Sequence, residues 1–325
     1  WIWLFLGALY GVLIRANFEI IPNAVRGPMS LAFLMGVPFV IGAISIYGLR
    51  DKSPSLKQMV SLPWIATALM MAGSAITLLE GSICIAIMSP LFLMVSSMGG
   101  LFMGLCLRLY KGKQQKFLSI SFLPFALMWG EEFVALPDKN IEIVQSIVVQ
   151  ASPETIWQQI MTAKAIVPDE LPVSIAHFIG VPKPLEGVNI QSNEKEIRYS
   201  KWEKGVNFKA KVTENRKYEF IKWHYFFDEN SFPAGSMDDH VAIGGEYFDL
   251  NDTAFKLEPL NTKETKLIIT AHYRVSSSVN FYAIPVSKIL AGDFIKTILG
   301  LYKGRSEKAQ LNQMALSYEH RIQNK

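Results

Sequence analysis

The hydrophobic pattern divides the chain into two unlike halves. Residues 1–136 hold five apolar runs, Trp1–Ile14, Met29–Leu49, Val60–Leu79, Ile83–Leu107 and Phe117–Leu136, joined by short polar connections. None alternates with a period of two, and backbone groups in an apolar medium must pair within their own segment, so each run is expected to be a helix. Gly36, Gly42, Gly73, Gly99, Gly100 and Gly104 are candidate points of close helix contact, and Pro38, Pro90 and Pro124 candidate kinks. A bilayer span needs roughly 20 residues, so Trp1–Ile14 is short. A chain opening on Trp1 rather than Met points to an incomplete N-terminus. A cleaved signal peptide is not expected, because no basic stretch precedes the first run and further apolar runs follow.

Residues 137–325 change character. Glu142–Val149 alternates and is rich in Ile and Val, which predicts a strand. Ser152-Pro153-Glu154 then supplies an N-cap, a proline at the first helical position and an acid in the first turn. Ile156, Trp157 and Ile160 give the apolar face of that short helix. A proline-rich connection (Pro168, Pro172, Pro182, Pro184) leads to predicted strands at Glu196–Tyr199, Val206–Thr213, Tyr218–Phe227, Glu246–Pro259 and Lys266–Ser276. A long helix is expected from Phe281 to Ser317, bent near Gly300 or Gly304, with Val286, Ile289, Leu290, Phe294, Ile298 and Leu301 as its apolar stripe. Strand parity puts Ile221, Trp223, Tyr225 and Phe227 on one face, with Lys222 and His224 opposite. Likewise Leu267, Ile269, Ala271, Tyr273 and Val275 oppose Thr270, His272 and Arg274. The apolar sets are expected to face the helix.

Charge follows the same division. Nine Lys/Arg and five Asp/Glu lie in 1–137, and twenty-three of each in 138–325, so the formal +4 belongs to the apolar half. A charge-balanced polar half argues against a nucleic-acid surface. Arg50, Asp51, Lys52 and Lys57 in the second loop and Arg108, Lys111, Lys113 and Lys116 in the fourth sum to +6. Arg15, Glu19, Arg26 and Glu80 lie on the opposite loops. The positive-inside rule therefore assigns the second and fourth loops to the cytoplasm. If Phe117–Leu136 spans, the polar half lies outside, a placement that Glu131 and Glu132 fit; if that run lies in the interface or re-enters, the polar half is cytoplasmic. The resulting expectation is a multi-pass protein of the inner or plasma membrane with a non-cytoplasmic soluble half. Glu19 and Glu80 are expected at helix ends near headgroups. Cys84 and Cys106 lie in apolar runs and read as packing residues.

The second half resembles the SRPBCC superfamily, the START-like or helix-grip fold that includes polyketide cyclases and lipid-transfer domains. The resemblance rests on IEIVQSIVVQASPETIWQQI (Ile141–Ile160), GEYFDLNDTAFKLEPL (Gly245–Leu260), KLIITAHYRV (Lys266–Val275) and the closing helix. It covers about residues 141 to 310. It implies a cavity between sheet and helix for an apolar or amphipathic ligand, and in this sequence the lining candidates are Trp223, Tyr225, Phe227, Tyr247, Phe255, Tyr273, Phe281, Tyr282, Ile289, Leu290 and Phe294. The same residues would equally serve as plain core. The expected fold class is thus an all-α transmembrane bundle (1–136) followed by an α+β helix-grip domain (137–325), a curved antiparallel sheet wrapped around a long C-terminal helix.

Polar chemistry is sparse. Ser236-Met237-Asp238-Asp239-His240 lies beside Gly235, Gly244 and Gly245, where an Asp would orient an imidazole as a base; a solvated turn is the plainer reading. Its spacing fits neither a zincin nor an EF-hand, so no metal and no cofactor is expected. His177, between Ile175 and Phe178, is either a residue of a cavity entrance or a satisfied histidine in a connection. His224 and His272 have outward parity, and Glu246 and Arg274 complete the polar candidates. Lys288, Lys296, Lys303, Arg305 and Lys308 form a basic side of the last helix, suited to anionic headgroups or to water. Three functions fit: binding of a hydrophobic or lipid-like small molecule beside a lipid bilayer, cyclase- or hydrolase-like chemistry on an apolar substrate, and recognition of a membrane-protein partner. Catalysis is left open by these residues.

Overall fold

The computed structural model describes residues 1–20, 27–109, 117–131, 133–192, 195–237 and 243–323. It forms two compact units, Trp1–Pro137 with Ser276–Ala283, and Asp138–Val275 with Ile284–Lys325.

The first unit is helical: α1 (Ile2–Ile20), α2 (Val37–Tyr47), α3 (Leu56–Ile76), α4 (Ser82–Leu109) and α5 (Leu123–Glu131). A π turn, Ala32–Gly36, leads into α2, and a 3-10 turn, Phe117–Phe122, precedes α5. Among the described residues, only α3 and α4 are long and apolar enough to cross a membrane; Ile2–Phe18 and Ala32–Tyr47 are shorter apolar helices. The five runs expected as helices are thus of unequal length among the described residues, two of them reaching the length of a membrane span. The final run shows the physical reason. Apolar composition predicted one helix over Phe117–Leu136, but the chain tightens into a 3-10 turn and restarts at Leu123-Pro124, leaving nine α-helical residues.

Glycines set the close packing. A Cβ on Gly42 would overlap the Ser96 carbonyl, and one on Gly99 would overlap the Phe39 carbonyl, so α2 and α4 meet backbone to backbone. Ser55 and Gln58 close a reciprocal capping box at the start of α3. Arg15 on α1 is buried and donates from Nε to Glu80 at 2.5 Å and from Nη2 to the Leu79 carbonyl. Glu80 is therefore an ion-pair partner of Arg15. The side chain of Glu19 lies outside the described residues. Glu131 is also engaged within the first unit. It is buried, accepting from Leu31 N at 2.6 Å, Ala32 N at 3.1 Å and Ser278 Oγ at 2.9 Å. Glu132 lies outside the described residues.

The second unit is an eight-stranded sheet. Its strands are β1 (Asp138–Val149), β2 (Thr162–Ala163), β3 (Pro184–Ser192), β4 (Lys195–Trp202), β5 (Asn207–Arg216), β6 (Phe220–Phe226), β7 (Phe248–Pro259) and β8 (Thr265–Ser276). Their order is β1-β8-β7-β6-β5-β4-β3-β2, antiparallel from β2 through β8. The sheet curves as a half-barrel beside α8 (Asn280–Gln323), and α6 (Pro153–Met161) and α7 (Ile175–Phe178) lie in the connection from β1 to β3. This is a helix-grip architecture. The α6 start is as read from sequence: Ser152 Oγ accepts from Thr155 N, with Pro153 at the first helical position. The alternation in β6 and β8 also holds, with Ile221 and Trp223 buried opposite Lys222 and His224, and Leu267 through Val275 buried at every second residue. α8 continues through Gly300 and Gly304 to Gln323, six residues past the expected Ser317.

Part of the basic side of α8 is engaged within the unit. Arg305 forks onto Glu170, Nε to Oε1 at 3.0 Å and Nη2 to Oε2 at 2.7 Å, and also donates to the carbonyls of Lys164 and Ala165. Lys303 pairs with Glu307 at 3.2 Å. The hydrogen bond from Arg305 holds the Glu170 carboxyl below its ordinary value of 4.5. A carboxyl depressed in the folded state stabilises above its unfolded value and loses that contribution as pH falls through the folded one. Glu170→Gln is therefore expected to lower the melting temperature at pH 7, by a margin that shrinks as the pH falls through the folded-state titration of the carboxyl. A shift that does not change with pH, measured by thermal melts, would show that the charge is not involved.

Candidate functional site

The helix-facing side of the sheet has a filled end and an open one. At the filled end Ile221, Trp223, Phe255, Leu257, Leu267 and Ile269 pack with Leu299 and Tyr302 of α8. Burial then runs out in step along two elements. On β6 and just beyond it, Ile221 and Trp223 are buried while Tyr225 and Phe227 are partly exposed. On α8, Tyr302, Leu299 and Ile295 are buried, Phe294 and Leu290 partly exposed, and Ile289 63% exposed.

Aromatic rings line the open end. Trp202 at the end of β4 stacks on Phe294 with centroids 5.2 Å apart and planes at 17°. Trp202 also meets Phe208 at 5.7 Å, Phe208 meets Tyr225 at 5.7 Å and Phe227 at 5.5 Å, and Tyr225 stacks on Phe227 at 6.0 Å. Phe232 adds to Phe227 at 5.6 Å. On the neighbouring strands Phe248 packs on Tyr273 at 5.4 Å, and the Tyr273 hydroxyl lies 3.3 Å from Ser287 Oγ. Aromatic faces of this kind contact apolar ligands without demanding a single shape.

A hydroxyl network links the two ends. Trp223 Nε1 donates to the Tyr225 hydroxyl at 2.8 Å, which donates to Thr253 Oγ1 at 3.1 Å. Burial raises the Tyr225 pKa above its ordinary 10.0, opposed by the hydrogen bonds with Thr253 and Trp223 and by the charge of Arg198. Burial likewise raises that of Tyr273. Both phenols stay protonated at neutral pH.

Of the residues proposed from sequence, Trp223, Tyr225, Phe227, Phe255, Tyr273, Leu290 and Phe294 lie on this side of the unit. Trp223 and Phe255 are core beneath the open end. Tyr247 is partly exposed, just before β7. Phe281 is 63% exposed, and with Tyr282 it belongs to the first unit, where the Tyr282 hydroxyl donates to the Ile87 carbonyl. Neither of these two joins the aromatic group, and Ile289 is largely exposed.

His177 meets the aromatic end. Its ring lies edge-on to Phe294 at 5.7 Å, and α7 is pinned to α8 because Asp293 Oδ2 accepts from Ser174 Oγ and Ala176 N. Nδ1 is 3.0 Å from the Val181 carbonyl, which only accepts, so Nδ1 carries the proton. Nε2 is buried and has no partner among the described residues. The other polar candidates are elsewhere. His272 bonds Asp252 at 2.7 Å on the opposite face, where Lys222 also reaches Asp252; His224 is exposed. Arg274 donates to the carbonyls of Glu246 and Gly245. Asp238, Asp239 and His240 lie outside the described residues.

Sequence reasoning missed Trp202, Phe208 and the polar group at Arg198. Arg198 lies between Ile197 and Tyr199 in the predicted strand Glu196–Tyr199, which is too short for its alternation to define an inward face. The structure buries Arg198 and Ser200 and leaves Ile197 and Tyr199 partly exposed. Gly187 on β3 was the available signal: a Cβ there would lie 2.5 Å from Arg198 Nη2, so this strand position stays bare for the guanidinium.

No family model matches the chain, and no curated protein matches it. Several solved structures are similar. The Zhui aromatase/cyclase from a Streptomyces species is 9% identical, with 52% of this chain and 95% of that chain covered and a TM-score of 0.33. A START superfamily protein from Mycobacterium smegmatis is 16% identical over 52% and 98%, with a TM-score of 0.33. A norcoclaurine synthase point mutant from Thalictrum flavum is 15% identical over 54% and 98%, with a TM-score of 0.31.

Proposed function

We propose that the second unit is a START-like module that binds an apolar or amphipathic small molecule at its open aromatic end, held at a membrane by the helices of the first unit. The observation carrying this reading is the stepwise loss of burial from Trp223 to Tyr225 and Phe227, matched by that from Tyr302 to Phe294 and Leu290. A unit built only to fold gains about 25 cal/mol for each Å² of apolar surface it covers, so leaving stacked aromatics part-bare favours an occupant. Anchoring is supported by α3 and α4, of 21 and 28 residues. Arg108 donates to the Pro54 carbonyl at 2.9 Å, which fits the second and fourth loops sharing one side. With those loops cytoplasmic, the second unit lies outside an inner or plasma membrane if Phe117–Leu136 crosses it, and in the cytoplasm if that run re-enters or lies in the interface.

Gentle extraction of the full chain followed by native mass spectrometry and lipidomics tests the binding. A reproducible bound apolar or amphipathic molecule is expected, displaced less readily from wild type than from Phe294→Ala. A folded protein that carries nothing and binds no hydrophobic dye would refute it in favour of a protein-recognition role. Reporter fusions after Lys113 and Asn140 decide between these, reporting opposite sides if Phe117–Leu136 crosses and one side if it does not.

A cyclase- or hydrolase-like reading has one specific support, the bare Nε2 of His177 beside Phe294, since a neutral imidazole held by Val181 is oriented as a proton acceptor. Turnover lost in His177→Gln with ligand affinity unchanged would favour it.

A further inference from the structure

Arg198 is a buried cation without a carboxylate of its own. It is 6% exposed, and no carboxylate lies within ion-pair distance among the described residues. Its guanidinium donates from Nη1 to the Ile160 carbonyl and to Asn189 Oδ1, both at 2.8 Å, and from Nη2 to the Tyr302 hydroxyl at 2.9 Å. A guanidinium has five N–H bonds, so two find no acceptor among the described residues. Glu196 is the acid adjacent in this network, and it reaches Arg198 only through the Asn189 amide, from whose Nδ2 it accepts at 2.9 Å. The remaining support is the Trp223 ring, 4.6 Å from the guanidinium carbon. Desolvating a charge without a counterion is costly, and the favourable cation–π contact offsets only part of that.

The position is built rather than incidental. The end of α6, β3 and α8 each supply one of the three acceptors, and Gly187 leaves the space. Register places Arg198 opposite Ala210, and Ala210 opposite Tyr225. The guanidinium and the Tyr225 ring thus share one layer of the helix-facing side, separated by a residue with a single methyl. From that layer the aromatic set runs outward through Phe227 and Phe208 to Trp202 and Phe294.

We infer that the ligand of this site is an anionic amphiphile, whose carboxylate or similar planar oxyanion takes the open N–H bonds of Arg198 while its apolar body lies along Tyr225, Phe227 and Phe294. A planar two-oxygen anion matches the guanidinium fork, which a neutral hydroxyl or an amine does not. This rests on the binding reading above and adds the charge of the ligand to it.

The test uses the full wild-type chain in nanodiscs and two fluorescent probes of one length, 11-(dansylamino)undecanoate and its methyl ester. The acid is expected to bind at least tenfold more tightly. Arg198→Met is expected to abolish that preference while leaving the ester affinity within about twofold, and Arg198→Lys to restore part of it. Equal binding of acid and ester by wild type overturns the inference and leaves the binding reading standing. Binding of neither probe overturns both. Should Arg198→Met fail to fold, the acid-to-ester ratio of the wild type decides alone.

Discussion

Replacing Trp223 by alanine is expected to destabilise the helix-grip unit by about 3–5 kcal/mol, the range for truncating a large buried aromatic. Trp223 is 2% exposed and belongs to the largest buried side chains of the chain. Its ring meets Phe255 at 5.0 Å and carries the Arg198 guanidinium at 4.6 Å, and its Nε1 donates to the Tyr225 hydroxyl. Alanine removes packing, leaves a cavity beside a buried cation and deprives that cation of its π face. A fall in melting temperature on the order of 10 °C follows for a unit of this size. Trp223→Phe keeps a ring and loses the donor, so its loss is expected to be smaller. Thermal melts followed by far-ultraviolet circular dichroism check this. A shift under 2 °C for Trp223→Ala would mean that the filled end is not a core.

Glu131→Ala is expected to be comparably damaging to the first unit, for a different reason. The carboxylate accepts from two backbone N–H groups at the turn leading into α2 and from Ser278 Oγ. These donors belong to a helix start, where intrahelical acceptors are missing. Each buried donor left unpaired costs roughly 1–3 kcal/mol, so about 3 kcal/mol or more is expected in total. Glu131→Gln retains an amide oxygen and is expected to keep a larger share of the stability. The yield of folded, detergent-extracted protein and its melting temperature report both variants. Wild-type behaviour of Glu131→Ala would show that water or other groups satisfy these donors.

Much of the second unit was legible in the chain. Strict alternation in Tyr218–Phe227 and Lys266–Ser276 announced β6 and β8 and their helix-facing sides, because a half-buried strand exposes every second residue. Ser152-Pro153-Glu154 announced α6, since capping is a local property. β3 was not legible: Pro184–Ser192 contains a proline, a glycine and two amides, and it is a strand because β4 pairs with it over its length. β2 is two residues with no signal of their own. The length of the helix in Phe117–Leu136 was overestimated because hydropathy reports solubility in an apolar medium and says little about where a helix breaks.

The candidate site divides in the same way. Tyr225, Phe227 and Phe294 stood out because their spacing matched an element with a known apolar face. Trp202 and Phe208 lay outside the segments that carried the resemblance. Phe281 and Tyr282 were lining candidates implied by the resemblance at the start of the closing helix, yet the first turn of that helix belongs to the other compact unit, an assignment that the sequence of one helix does not contain.

By itself the sequence determined the division into an apolar and a charge-balanced half, the helical state of the first, and the alternating strands and closing helix of the second. Each is an average property of neighbouring residues, and local spacing records it. Tertiary structure alone decided the fate of the charges. Glu80 became a partner of Arg15, Glu131 became a buried cap, and Arg198 became an interior cation. Burying a charge requires partners brought from far along the chain, as Tyr302 is brought to Arg198 across 104 residues, and no local pattern encodes that meeting.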